Sequence, residues 1–340
     1  MLRQIAKLLK KNRGQGIVEF ALIVPILLLI VFGILEGGRV LYSQMMVAEA
    51  AREGARVIAF PETWLPGYPV WLDEAPGAAV WGHQGAKALY QLLSEQSIEI
   101  PGPVLERLKA LAGAHRVDLV MGAHERRGGT LYNTMLFLAA DGERWAMHRK
   151  LMPTYTERLV WGQGDGSTLA VLDGEAGVLG GLICWEHWMP LARAAMHAKL
   201  EQVHVAQWPA VSELHQLASR TYAFEGQCFV LAAGCVLSRE DVLGGLASLG
   251  VTGGAAFDML AAMPGQPGHL YKDGGSAIIA PDASYLVHPV MGKPGILYAD
   301  LDPSLVKRGH LVMDTAGHYS RPDVFRLEVD TQPRTGVSFL

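Results

Sequence analysis

From Gly177 to Ile183 the chain carries seven residues (GVLGGLI) with no charge and no side-chain hydrogen-bonding group. Such a run reads as a buried strand. It ends at Cys184, and a turn of Trp185, Glu186, His187 and Trp188 leads to Met189-Pro190, where proline can open a helix through Leu191 to Met196. The thiol therefore stands where a strand stops. It is held by a sheet yet faces a loop opening, and N–H groups of the turn can lower its pKa or hold an oxyanion. A lone Cys in an apolar strand is more often a small buried hydrophobe, so its surroundings decide.

The chain has 340 residues, half of them hydrophobic, and a net charge of −4. That length is ample for a large core, and the near-neutral balance leaves no footprint for nucleic acid. The three Cys (184, 228 and 235) form no CxxC pair and are too few for a disulfide framework, which suits a reducing compartment. Cys228 and Cys235 read as structural. The 12 His are scattered without an HExxH, no Walker A is present, and no GxGxxG follows a strand. These patterns call for no metal and no cofactor.

Arg3, Lys7, Lys10, Lys11 and Arg13 precede an apolar stretch of about 19 residues, 17–35, broken by Glu19, Pro25 and Gly33. It is long enough for a transmembrane helix, and no Ala-x-Ala site follows closely as in a signal peptide. The basic flank places the N-terminus in the cytoplasm and the rest across the membrane. The expected location is membrane-associated through this helix, or cytoplasmic if the segment does not insert.

Further on, Val57 to Phe60 reads as a strand ended by Pro61-Glu62. Glu62, beside Trp64, Tyr68 and Trp71, is either a desolvated carboxylate with a raised pKa or a solvated loop residue. Helices are expected over 45–54, 78–96, 103–114 and from Ser212 to Glu225. Strands are expected over 118–123, 131–140 and 144–150, the last two joined by an Asp141-Gly142 turn. Others fall over 169–173, 177–184, 202–207, 228–235, 276–280, 285–289, 296–300 and 324–329. Residues 238–268, rich in Gly, Ala and Pro, read as a long irregular insertion. Paired short strands alternating with helices predict an α/β fold, a two-sheet core covered by helices.

Glu62, Lys150 and Cys184 each end an apolar strand, and such ends gather on one edge of a layered sheet. A Cys there attacks an electrophilic carbon, a Glu takes its proton and later activates water, and a Lys stabilises negative charge as it develops.

These residues carry a resemblance. Phe60-Pro61-Glu62-Thr63-Trp64-Leu65-Pro66-Gly67-Tyr68-Pro69, His148-Arg149-Lys150-Leu151-Met152-Pro153-Thr154 and Ile183-Cys184-Trp185-Glu186-His187 resemble three spaced motifs of the nitrilase family of carbon–nitrogen hydrolases. Gly317 to Phe325 (GHYSRPDVF) resembles a C-terminal signature of true nitrilases. The resemblance implies a four-layer αββα sandwich in which Glu62 is general base, Lys150 charge stabiliser and Cys184 nucleophile. By the same resemblance, Glu157 matches the glutamate that orients the lysine. It implies hydrolysis of a small-molecule organic nitrile to acid and ammonia, without a cofactor, by a homo-dimer or a larger spiral of dimers. An amidase or cyanide-degrading activity is the alternative. Trp64, Tyr68, Trp185, His187, Trp188 and Trp208 are the candidate substrate-binding residues, and the aromatic set favours arylaliphatic or aromatic nitriles.

Arg13 to Ala21, then Pro25 and Gly33 to Arg39, continuing through AEAAREGAR (48–56), resemble TadE-like pilus-assembly proteins. The expected organisation is a basic, TadE-like transmembrane segment over 1–47, a hydrolase domain over 48–329 and a tail over 330–340. The first strand usual in nitrilases has no counterpart, and residues 17–35 stand in its place; Leu22-Ile23-Val24 is a candidate surrogate. A membrane or pilus-assembly protein with an inactive hydrolase domain is the competing class.

Overall fold

Two β-sheets pack face to face in the computed structural model, which describes residues 42–334. Helix α1 (42–52) is followed by β1 (Val57–Ala59), α2 (Trp71–Glu74), α3 (Gln84–Gln96) and α4 (Pro103–His115). Next come β2 (Asp118–Arg127), β3 (Thr130–Leu138) and β4 (Trp145–Arg149), then β5 (Leu172–Gly174) and β6 (Gly177–Ile183). The chain continues through α5 (Pro190–His197), β7 (Val203–Gln207), α6 (Glu213–Gly226), β8 (Phe229–Ala233) and β9 (Val236–Ser238). It closes with α7 (Arg239–Ser248), α8 (Ala255–Ala261), β10 (Leu270–Ile279), β11 (Tyr285–Met291) and α9 (Pro303–Gly309).

The first sheet has the order β1-β2-β3-β4, the second β11-β10-β8-β7-β6-β5, with β9 paired to β10. Strands β6, β7 and β8 run parallel, Ile183 beside Gln207 and Gln207 beside Ala233. Helices α5 and α6 make the two crossovers that parallel neighbours require. The core between the sheets joins Val120, Met135 and Phe137 of the first to Leu179, Ile183 and Val205 of the second. Ala192, Met196, Ala218 and Tyr222 of α5 and α6 extend the same core. Alternation along β2 and β3 turns Leu119, Met121, Leu136 and Leu138 to the opposite face, where they are fully buried. There α4 packs on β3 with Leu105 and Leu108 fully buried.

Gly181 shows how closely the sheets approach. A Cβ there would lie 2.5 Å from Met135 Sδ and 2.7 Å from the Val205 carbonyl oxygen, so only glycine lets the methionine fill the gap. Asp118, at the start of β2, receives the amides of Ala140 (3.0 Å) and Glu175 (2.5 Å) and so ties β2 to the β5–β6 turn. Burial raises its pKa against those hydrogen bonds.

The expectations for 238–268, 296–300 and 324–329 need correction. Residues 238–268 are not irregular: they contain α7 and α8. Ser238 and Asp241 cap α7 reciprocally, the Asp241 amide donating to Ser238 Oγ at 3.0 Å. Met259 and Leu260 of α8 are buried in a cluster with Leu89 and Leu93 of α3. Composition suggested a loop, but the apolar face of α8 found a partner. The segments 296–300 and 324–329 join no ladder among the described residues; Tyr298, Val324 and Phe325 are exposed. Strand propensity expresses fit to a half-buried sheet surface, and no sheet edge meets them there. No helix among the described residues is long and apolar enough to cross a membrane. The expected span over 17–35 and the surrogate strand Leu22-Ile23-Val24 lie outside the described residues.

Candidate active site

The ends of β1, β4 and β6 bring Glu62, Lys150 and Cys184 together. Parallel pairing of β1 with β2 carries the chain from Ala59 into Phe60, whose amide still donates to Val120 at 2.8 Å. Glu62 follows, wholly buried. Lys150 leaves β4 with its amide on the Asn133 carbonyl at 2.8 Å, and its ammonium turns into the same interior. Cys184 opens a 3-10 turn, Cys184–Trp188, with φ +56°. That left-handed conformation costs a side-chain-bearing residue about 1–2 kcal/mol, so neighbouring contacts must hold it.

Lys150 Nζ donates to Glu62 Oε1 at 2.8 Å and to Glu157 Oε2 at 2.7 Å. Asn133 Nδ2 donates to the same Glu62 oxygen at 2.6 Å, and the Tyr68 hydroxyl donates to Glu157 Oε1 at 3.1 Å. Glu157 also takes the Thr154 amide at 2.6 Å. The second oxygen of Glu62, Oε2, is buried and has no hydrogen-bond partner among the described residues. A carboxylate oxygen of each of Glu62 and Glu157 and the sulfur of Cys184 lie within 4.8 Å of one another. Two carboxylates and a thiol at that spacing would suit a cation, but the Lys150 ammonium already bridges the carboxylates and fills the cation's role.

Burial raises the pKa of Glu62 to about 7, even against the charge of Lys150, which lowers it. Burial works against the Lys150 ammonium, yet the charges of Cys184, Glu62 and Glu157 hold its pKa well above the lysine range. Burial and the charge of Glu62 push the Cys184 thiol well above its ordinary value, opposed by Lys150 and by the Trp185 N–H. The group therefore rests as a thiol beside a carboxylate half-ionised near neutrality and a fixed ammonium. It is equipped to move one proton from sulfur to Glu62 and to steady negative charge beside Lys150.

The six aromatic candidates separate. Tyr68 is bound to Glu157, and burial raises its pKa well above the phenol range, so it stays a donor. Trp64 is half-buried and packs on Phe60 at 5.3 Å between ring centroids. Trp185 is 44% exposed and meets His215 edge-on. Trp188 is half-buried with its Nε1 buried and unpartnered among the described residues. Trp208 and His187 are fully buried and stacked on each other at 4.8 Å, and protein groups occupy their polar atoms.

Sequence reasoning passed over Glu186. Its buried carboxylate takes the amides of Ile183 and Leu151, each at 2.6 Å, and His148 Nε2 at 2.9 Å. It therefore fastens the cysteine turn to the segment that carries Lys150. Asn133, inside a strand, also went unread. The signal for Glu186 lay in its spacing: a Glu three residues after the strand end can reach back to that strand's last amide.

Residues 38–310 match the carbon–nitrogen hydrolase family model, and residues 14–56 match that of TadE-like proteins. The chain is 38% identical over 307 residues to nitrilase 2 of Arabidopsis thaliana, covering 86% of this chain and 84% of that protein. It is 38% identical over 303 residues to a nitrilase of Pseudomonas syringae pv. syringae, covering 85% and 83%. It is equally 38% identical over 312 residues to a bifunctional nitrilase/nitrile hydratase of Lupinus angustifolius, covering 87% and 82%. Among solved structures, a carbon–nitrogen hydrolase of Helicobacter pylori superposes with TM-score 0.57 at 17% identity, covering 82% of this chain and 88% of that one. That likeness speaks for the fold.

Proposed function

The chain belongs to the carbon–nitrogen hydrolase family, and from that premise we propose that it is a nitrilase, converting an organic nitrile and two waters to a carboxylic acid and ammonia. The observation that carries the reading is the buried Lys150 ammonium held between Glu62 and Glu157, beside the Cys184 sulfur. The named nitrilases it resembles over most of both lengths support nitriles as the substrate class.

In this reading Glu62, through its free Oε2, takes the Cys184 proton as sulfur adds to the nitrile carbon. The nitrile nitrogen is protonated, giving a thioimidate. Water delivered by Glu62 adds to that carbon, and ammonia leaves as the tetrahedral adduct collapses to a thioester. A second water, again activated by Glu62, opens the thioester to the acid and returns the proton to sulfur. Lys150 Nζ and the Trp185 N–H steady the charge that develops at each addition. Glu157 holds Lys150. Trp64, Tyr68, Trp185 and Trp188 favour a nitrile with an aromatic group.

Incubation with phenylacetonitrile, with ammonia, acid and amide assayed separately, tests the reading. Acid and ammonia from the native chain, and neither from Cys184→Ala, support it. Turnover of amides alone makes the protein an amidase, and release from cyanide alone a cyanide-degrading enzyme. No product from any of them with the fold intact makes the hydrolase domain inactive.

We further propose that the hydrolase domain spans 48–329 between a TadE-like segment (1–47) and a tail (330–340), and that residues 17–35 anchor it to a membrane. The TadE-like match and the apolar run support the anchor. Full-length protein recovered only in the soluble fraction refutes it. Exposed Leu191, Leu214 and Leu217 on α5 and α6 support a homo-dimer or larger assembly, which sedimentation tests.

A further inference from the structure

Behind the cysteine turn lies a file of buried polar groups that the mechanism does not use. His187 Nδ1 lies 2.8 Å from the Cys184 carbonyl oxygen, and His187 Nε2 lies 3.0 Å from His204 Nε2. His204 Nδ1 lies 2.5 Å from Glu201 Oε2, and the Tyr222 hydroxyl donates to Glu201 Oε1 at 2.7 Å. His187, His204, Glu201 and Tyr222 are all buried.

The hydrogens in this file can be counted. A carbonyl only accepts, so His187 Nδ1 carries a hydrogen. One hydrogen lies between the two Nε2 atoms, and one between His204 and Glu201. Three bridging hydrogens are one more than two neutral imidazoles hold. Whichever atom carries it, the trio keeps one proton beyond two neutral imidazoles and a carboxylate. Burial, and the charge of His204 beside it, keep the His187 pKa well below the histidine range. His187 is therefore neutral and locked as the Nδ1–H tautomer, and its Nε2 accepts from His204 Nε2.

The carbonyl that His187 grips shares its peptide group with the Trp185 N–H. In a trans peptide the two point in opposite directions, so a grip on the carbonyl fixes the direction of the N–H, which lowers the Cys184 thiol's pKa against burial. We propose that His187, backed by His204 and Glu201, is a positioning residue that holds the Cys184–Trp185 peptide with its N–H turned to the reacting centre. The strained backbone at Cys184 makes that grip necessary, because the peptide would otherwise relax. Its effect on turnover rests on the nitrilase reading above; its effect on the thiol does not.

Amide side chains separate the two ring nitrogens. Asn at 187 can place its NH2 near the position of Nδ1, whereas Gln places its amide near Nε2 and leaves the Cys184 carbonyl ungripped. In H187Q, kcat for phenylacetonitrile should fall about a hundredfold, the scale of losing one oxyanion donor, with KM little changed. H187N should restore most of that loss. Alkylation of Cys184 by iodoacetamide across pH should show a higher apparent thiol pKa in H187Q than in the native protein or H187N. Equal losses in both variants overturn the proposal, as does a native alkylation profile in H187Q, including where lowered Tm accounts for its lost rate. If the native protein hydrolyses no nitrile, the nitrilase reading fails, and the alkylation comparison still decides this one.

Discussion

Glu186 receives the amide hydrogen of Leu151 at 2.6 Å, so the residue after the lysine is tied to the turn that carries the cysteine. A second bond, from the Ile183 amide at 2.6 Å, fixes the strand end immediately before that cysteine. One carboxylate thus sets the separation of two groups it does not itself touch. Removing it strands two backbone donors and the buried His148 beside it. Glu186→Ala should destabilise the fold by about 3–5 kcal/mol, the range for breaking a buried ion pair, seen as a lowered urea midpoint. In whatever fraction stays folded, kcat should fall more than KM.

The pKa of Glu62 near 7 predicts opposite pH responses of rate and stability. As a base, Glu62 works ionised, so kcat/KM should fall about tenfold per pH unit well below 7. For stability the sign reverses. Its folded pKa lies above the unfolded value, so its contribution is fully present below about 4.5 and is lost as pH rises through about 7. Urea midpoints of native protein and Glu62→Gln over that window check it: the native curve should decline relative to the variant.

Tyr68 and Glu157 act on the reaction through Lys150. Tyr68→Phe removes one hydroxyl, which donates to Glu157 at 3.1 Å and reaches Asp73 at 3.5 Å, and should cost about 1 kcal/mol in stability, with a modest loss of kcat. Glu157→Gln removes half of the ammonium's charge partners and should cost roughly 3–5 kcal/mol, with a fall in kcat of tenfold or more. Thermal melts and nitrile kinetics on both variants measure this order, and a larger effect from Tyr68→Phe would contradict it.

Much of the layout could be read from residues alone because strand ends are local events. Pro61 after a β run, Lys150 before Leu151-Met152-Pro153 and Cys184 before a turn all announce themselves within a few residues, and layered sheets gather such ends. What stayed hidden depends on distant partners. His204 sits in an apolar run, VHVAQ, where nothing marks it as the link between Glu201 and His187. Asn133 reads as an ordinary strand residue until Glu62 arrives from 71 positions away. Helix α8 hid behind its Gly- and Pro-rich flanks because its partner, α3, lies far earlier in the chain.

The ammonium of Lys150 is shared by two carboxylates, Glu62 and Glu157, inside the protein. A nitrile enters such a place without altering its sum of charges. The acid formed from it does not: once ionised, it sets a third anion against one cation where solvent screens little. Departure of the product is then driven by repulsion, and the reaction is pulled forward by its own outcome. Phenylacetate should therefore inhibit nitrile turnover more weakly than the uncharged phenylacetamide of the same shape, and the gap should narrow as pH falls and Glu62 takes up its proton.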